Sequence, residues 1–260
     1  FNYDKGSYSL TELSKTLRND DPHSMRDVLC MVDDSWWQSF SQLDESLKSG
    51  KSAFEIQNGD DFFSYLSKNP EKQQNFDKGM AKLSSYDDRA ISNAFNFAIF
   101  SRLVDMGGRG GLVKAITNQY PNLQAIVFAT SSVIRHLDSK DFSDKVLLQE
   151  GDFFATIPQA EAYIFKGVLH DFNDDMMSKI LKNCARQMSK DATLFIAEQV
   201  MPDDDKPHPN KTMDIVMMVL LGGRQRTLSE WQKSIEPTGF KFKNSYATNS
   251  LFTLMEFKPV

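Results

Sequence analysis

Arg102-Leu103-Val104-Asp105-Met106-Gly107-Gly108-Arg109-Gly110-Gly111 is the stretch on which the reading of this chain turns. Its first half is short and mostly apolar, as a buried strand is. Its second half is glycine-rich and leads into a helical pattern, Leu112 to Gln119. Glycines permit a tight turn and let backbone N–H groups approach a ligand. A glycine turn before a helix is also a purely structural device, and both readings stand. It is not a phosphate-cradling Walker loop, because no Gly-Lys-Ser/Thr follows. Downstream, Leu123–Phe128, Lys145–Gln149, Ala162–Phe165 and Thr193–Ala197 read as further strands, with a helix from about Asp174 to Met188. Strands alternating with helices predict βαβ units and a doubly wound, mostly parallel sheet. The end differs. Lys241–Ala247, the turn Thr248-Asn249-Ser250 and Leu251–Phe257 predict a closing antiparallel hairpin. No internal repeat is visible, and residues 203–209 form a polar, Pro-broken loop.

Upstream of the glycine stretch the pattern is helical. From Met25 to Leu47, apolar residues at Val28, Met31, Val32, Trp36, Phe40, Leu43 and Leu47 follow steps of three and four. That spacing predicts one amphipathic helix, stopped near Gly50. Trp36 and Trp37 are adjacent, so one must turn away from the local core face. Phe62–Leu66 opens a short helix broken at Asn69-Pro70. Phe76, Met80 and Leu83 again fall at helical spacing, which on its own is what core packing gives. The expected organisation is a helical segment over residues 1–90 and an α/β domain over 91–260.

Composition bounds the function. The chain has 260 residues, 40% hydrophobic and 25% charged, which is globular and rules out a disordered tail or a stapled mini-protein. Thirty basic against thirty-five acidic residues give a net charge of −5, so no nucleic-acid partner is expected. Cys30 and Cys184 are too few for a disulfide framework and are expected as two buried thiols in a reducing cytoplasm. The longest clean apolar run, Ile215–Leu221, is far short of the ~20 residues a membrane span requires. The chain opens Phe1-Asn2-Tyr3-Asp4-Lys5, without a signal-peptide pattern and without Met, as a fragment of a longer protein does.

In an open α/β sheet, ligands bind beyond the carboxyl ends of the strands. Four strand ends beyond the glycine turn bear on the chemistry. After the second strand, nucleoside binders place an acid on the ribose hydroxyls, but here the residues are Phe128-Ala129-Thr130-Ser131. After the third comes Gly151-Asp152-Phe153-Phe154. There an Asp beside aromatics fits an amino group and a stacked purine, or simply a turn over core phenylalanines. After the fourth comes Lys166-Gly167-Val168-Leu169-His170-Asp171-Phe172. A neutral His at a strand end suits general-base work near pH 7; a loop His beside a capping Asp171 is the alternative. After the fifth comes Glu198, which can orient an imidazole and stabilise its protonated form if strands four and five are neighbours.

The blocks Gly107-Gly108-Arg109-Gly110, Gly151–Phe154, Val168–Asp174, Ile180–Cys184, Ala197-Glu198, Met213-Asp214 and Leu221-Gly222-Gly223-Arg224-Gln225-Arg226-Thr227 occur in this order over nearly the whole chain. In this the sequence resembles the S-adenosylmethionine-dependent O-methyltransferases of the plant caffeate and hydroxyindole type. Gly6–Thr11 and Ser24–Asp27 resemble that family's wing end and next helix, so the resemblance implies a chain without most of the N-terminal winged-helix dimerisation domain. The resemblance implies a Rossmann-like class I methyltransferase sheet, mostly parallel, with a C-terminal antiparallel hairpin and an N-terminal helical segment. It implies S-adenosylmethionine as cofactor, S-adenosylhomocysteine as product, no metal, a phenolic or similar small acceptor, and a homodimer through the N-terminal helices. It implies that His170 removes the acceptor's proton, with Glu198 and Gln225 at the two positions flanking it. It places Gly107 and Gly108 beside the methionine part of the cofactor, Asp152 and Phe153 at the adenine, and Lys166 nearby. Phe76, Met80 and Asp171 fall on the substrate side.

Three positions depart from the family pattern. Arg109 stands within the glycine loop, Ala129 where the ribose acid is found, and Gln225 where a second acid flanks the His. Losing a charged acceptor costs about 1.5–3 kcal/mol, more than tenfold in affinity. The sequence therefore leaves a second reading beside the methyltransferase: a degenerate relative that binds a small molecule or partner without transferring methyl, or that has turned the pocket to other chemistry.

Overall fold

The apolar runs become the strands of a seven-stranded sheet in a computed structural model that describes residues 1–21 and 23–260. Two compact units are present, Phe1–Ser84 and Ser85–Val260.

The first unit opens on a hairpin, β1 (Asn2–Asp4) and β2 (Ser7–Ser9), whose turn residues Lys5 and Gly6 both take positive φ, as a two-residue turn between twisted strands requires. Short helices follow: α1 (Glu12–Lys15), α2 (Arg26–Cys30), α3 (Asp34–Phe40), α4 (Leu43–Ser49), α5 (Ala53–Asn58) and α6 (Phe62–Lys68). The long α7 (Pro70–Ser92) runs through the boundary between the units. The single helix expected over Met25–Leu47 is thus three. Asp33 breaks it by taking extended backbone and accepting from the Ser35 N–H, which caps α3. A second break falls at residues 41–42. Trp36 is buried and Trp37 is 68% exposed. Trp36, Phe54, Phe62 and Phe76 form an edge-to-face aromatic core, with Phe62 5.1 Å from Phe54 and 5.3 Å from Phe76. Gly79 lets α7 close on α2, since a Cβ there would overlap Met31. Cys184 is buried, but Cys30 is exposed, against the expectation of two buried thiols; α2, which carries it, buries none of its residues.

The second unit contains β3 (Arg102–Met106), α8 (Gly111–Gln119), β4 (Gln124–Ala129), α9 (Ser131–Ile134), β5 (Val146–Glu150), β6 (Ala162–Lys166), α10 (Asp174–Gln187), β7 (Thr193–Glu198), α11 (Pro209–Leu220), α12 (Leu228–Ile235), β8 (Phe240–Ala247) and β9 (Thr253–Pro259). The strand order is β5-β4-β3-β6-β7-β9-β8. β3 to β7 pair in parallel, while β9 runs antiparallel to both β7 and β8. Alternate residues divide between two cores, as a pleated strand demands. Ile126 and Phe128 face one core with α10 and α12. Ala125 and Val127 face the other with α8. The order reverses between β3 and β6, which is the switch point where such sheets open a crevice at the carboxyl ends.

Candidate active site

Beyond the end of β3 the chain doubles back over its own strand. Gly107 and Gly110 take positive φ, and the Gly107 N–H donates to the Phe128 carbonyl at 2.8 Å. A Cβ on Gly108 would overlap the Asp105 carboxylate. The turn therefore needs glycine there for space rather than for φ. Asp105 is buried, and its Oδ1 has no hydrogen-bond partner. Burial, followed by the nearby Asp88 charge, pushes its carboxyl up to about 7, with Lys166 opposing. Asp88, near the end of α7, is ion-paired with Lys166 at the end of β6. It also lies where a Cβ on Gly111 would go. Two carboxylates and one ammonium thus sit under the glycine turn. Asp88 is a member of this cluster that the sequence did not reveal: Asp87-Asp88 reads as an ordinary acidic helix end, and nothing in a helical repeat says which acid turns inward.

At the end of β5, Asp152 is exposed and its Oδ1 accepts from the Phe154 N–H at 2.8 Å. Phe153 is half-buried, edge-on to Phe165 and Phe172 with centroids 6.0 Å away. A Cβ on Gly107 would lie 3.5 Å from its ring and 3.3 Å from Val168. Gly107, Phe153 and Val168 therefore converge, and Lys166 joins Gly108 through the Asp88–Asp105 cluster.

His170 and Glu198 are brought together because β6 and β7 are neighbours in the sheet. His170 Nδ1 lies 2.6 Å from Glu198 Oε2, while the Leu169 and His170 backbone N–H groups donate to Oε1 at 3.1 and 3.3 Å. Glu198 is fully buried. With Nδ1–H assigned as the donor to Glu198, Nε2 is the nitrogen left for chemistry. It is not free: Asp171 Oδ1 stands 3.2 Å from it. Asp171 does not cap α10, where Asn173 serves instead. Burial alone would depress the His170 pKa, but Glu198 and Asp171 outweigh it and hold the ring well above its ordinary value.

Gln225 is buried with its Nε2 3.5 Å from His170 Nδ1, and its Oε1 has no partner. Its backbone N–H donates to Asp214 Oδ1 at 2.7 Å. The rest of that block is structural. Arg226 is fully buried, donates to Asp174 at 2.6 Å and lies 4.8 Å over the Trp231 ring. A Cβ on Gly223 would overlap the His170 carbonyl, so this loop is seated against the His. Phe76 and Met80 lie in the first unit, Phe76 within its aromatic core and Met80 half-buried on α7. Among the described residues, no group of three or more His, Cys, Asp or Glu side chains could hold a metal ion.

The profile of the O-methyltransferase domain matches residues 40–241. A phenazine O-methyltransferase of Lysobacter antibioticus is 30% identical over 98% of this chain and 76% of its own length. The crystal structure of LaPhzM superposes with a TM-score of 0.89 at 29% identity, covering 100% of this chain and 80% of that one. An O-methyltransferase from neocarzinostatin biosynthesis, solved with S-adenosylmethionine and 2-hydroxy-5-methyl naphthoic acid, superposes with a TM-score of 0.85 at 25% identity, covering 100% and 81%.

Proposed function

Because this chain belongs to the O-methyltransferase domain family, whose members transfer methyl from S-adenosylmethionine to oxygen, we propose that it methylates the hydroxyl of a small aromatic acceptor with His170 as the proton acceptor. The observation that carries this reading is His170 held between Glu198 and Asp171 at the mouth of the switch point. The relatives support an aromatic acceptor, since one is a phenazine O-methyltransferase and another was solved with a naphthoic acid.

The residues present fit the cofactor. The turn at Gly107 and Gly108 presents bare backbone at the carboxyl end of β3, and the buried Asp105 Oδ1 beneath it has no hydrogen-bond partner. Gly107 and Gly108 would hold its amino-acid end, Asp152 and Phe153 its base, and Lys166 would fix the Asp88–Asp105 cluster beneath. When bound, S-adenosylmethionine supplies an electrophilic methyl on a sulfonium. The chain's own part is positioning and proton removal. Glu198 fixes the ring through Nδ1, and Nε2 takes the acceptor's proton once the acceptor replaces Asp171 there. Glu198 then stabilises the imidazolium. Within the second unit, Asp171 is the residue proposed on the acceptor's side. We also propose a homodimer through the helices of the first unit, and a cytoplasmic enzyme; no described helix is long and apolar enough to cross a membrane. The degenerate reading has no observation in its favour, because Arg109, Ala129 and Gln225 leave the His170–Glu198 pair intact.

The test is transfer of labelled methyl from S-adenosylmethionine to a panel of phenols. A general base contributes about 10²–10⁴-fold, so His170→Ala should lose that much while binding S-adenosylhomocysteine normally. Full activity in His170→Ala would make His170 a structural loop residue.

A further inference from the structure

Glu150 ends β5 and is exposed, and its carboxylate makes no hydrogen bond or ion pair with any described residue. Its register partner across the parallel pair is Ala129, the last residue of β4. That is the position from which nucleoside binders of this sheet type send an acid to the ribose hydroxyls. Ala129 is buried and carries no polar atom in its side chain. Partners in a parallel ladder lie about 4.8 Å apart and point to the same face. The pattern here agrees: Ala125 and Val127 precede Ala129 on one face, and Val146 and Leu148 precede Glu150 on the same face, all against the α8 core. The two strands stay zipped to their ends, since the Gly151 N–H donates to the Ala129 carbonyl at 2.9 Å. Glu150 is therefore held beside the empty position rather than splayed from it. A glutamate carboxylate also stands one methylene further from its backbone than an aspartate's, which covers part of the offset between strands. A second observation points to the same place. Ser131, two residues past Ala129 at the start of α9, has a buried Oγ without a hydrogen-bond partner.

We propose that Glu150 accepts the cofactor's ribose hydroxyls in place of the missing acid at Ala129, with the Ser131 hydroxyl as its neighbour in that subsite. The proposal rests on the methyltransferase reading. It makes the departure at Ala129 a relocation of the carboxylate by one strand rather than a loss.

The experiment is calorimetric titration of the full chain with S-adenosylhomocysteine and with its 2′-deoxy counterpart. The wild type should prefer the parent by about tenfold or more, the scale of a hydrogen bond to a charged acceptor. Glu150→Gln, an exposed and nearly isosteric change, should lose about that factor for the parent and little for the deoxy ligand. Adding Ala129→Asp to Glu150→Gln should restore the preference. Unchanged parent affinity in Glu150→Gln overturns the proposal, as does an equal loss for both ligands. A wild type that binds neither ligand overturns the methyltransferase reading and this proposal with it. A wild type that binds both, with Glu150→Gln indifferent, overturns this proposal alone.

Discussion

His170 sits between two carboxylates, and that sets its pH behaviour. Because its pKa is raised in the folded chain, the ring is protonated over a wider range than an ordinary His and must lose that proton before it can act. Methyl transfer should therefore rise with pH through the neutral region and above. Asp171→Asn removes one of the charges that favour the imidazolium, so the rising limb should move to lower pH, with the ring titrating lower by NMR. Gln225→Glu would add a third carboxylate beside the ring and should move the limb the other way, slowing transfer at pH 7. A limb that stays put in both variants would show that another group titrates. The linkage has a definite sign. The raised pKa contributes stability below the unfolded value, near 6.5, and that contribution disappears as pH rises through the folded value. Denaturation midpoints of wild type and His170→Gln should thus converge on the alkaline side.

At the scale of elements, the glycine turn after β3 is built on contact with the strand it leaves. A Cβ on Gly108 would overlap Asp105, so Gly108→Ala should cost about 1–3 kcal/mol by urea unfolding, as overpacking does, and should weaken S-adenosylhomocysteine binding. Loss of neither would mean that Asp105 swings aside freely. The sheet's strands were legible because parallel strands buried on both faces are continuous apolar runs with abrupt ends. The helices near the start were not. Val28, Met31, Trp36 and Phe40 keep a helical rhythm through the break that Asp33 makes, and periodicity does not register a cap that interrupts without changing phase. The same limit applied within the site. His170 and Glu198 follow from strand ends and neighbouring strands. The Asp171 contact to Nε2 and the inward turn of Asp88 depend on side-chain directions that spacing does not carry.

At the scale of the whole molecule, the first unit keeps Trp37, Leu29 and Leu47 exposed, and large apolar residues grouped on one segment commonly mark an interface. A homodimer by light scattering at tens of micromolar is the expected result, and Trp37→Lys should shift it toward monomer. A monomeric wild type would count against the proposed assembly. The second unit has its own constraint. β9 is the last strand along the chain, yet it lies inside the sheet, paired with β7 on one side and β8 on the other. Thr253 is register partner to Glu198 itself. While the nascent polypeptide is still being extruded from the ribosome, β7 remains an open edge, and open edges recruit other strands. The carboxylate that orients the imidazole thus gains its flanking strand only when translation of the closing hairpin is done. Synthesis slowed just upstream of Thr253 would lengthen the interval in which β7 can be captured by a chaperone or by a neighbouring polysomal chain.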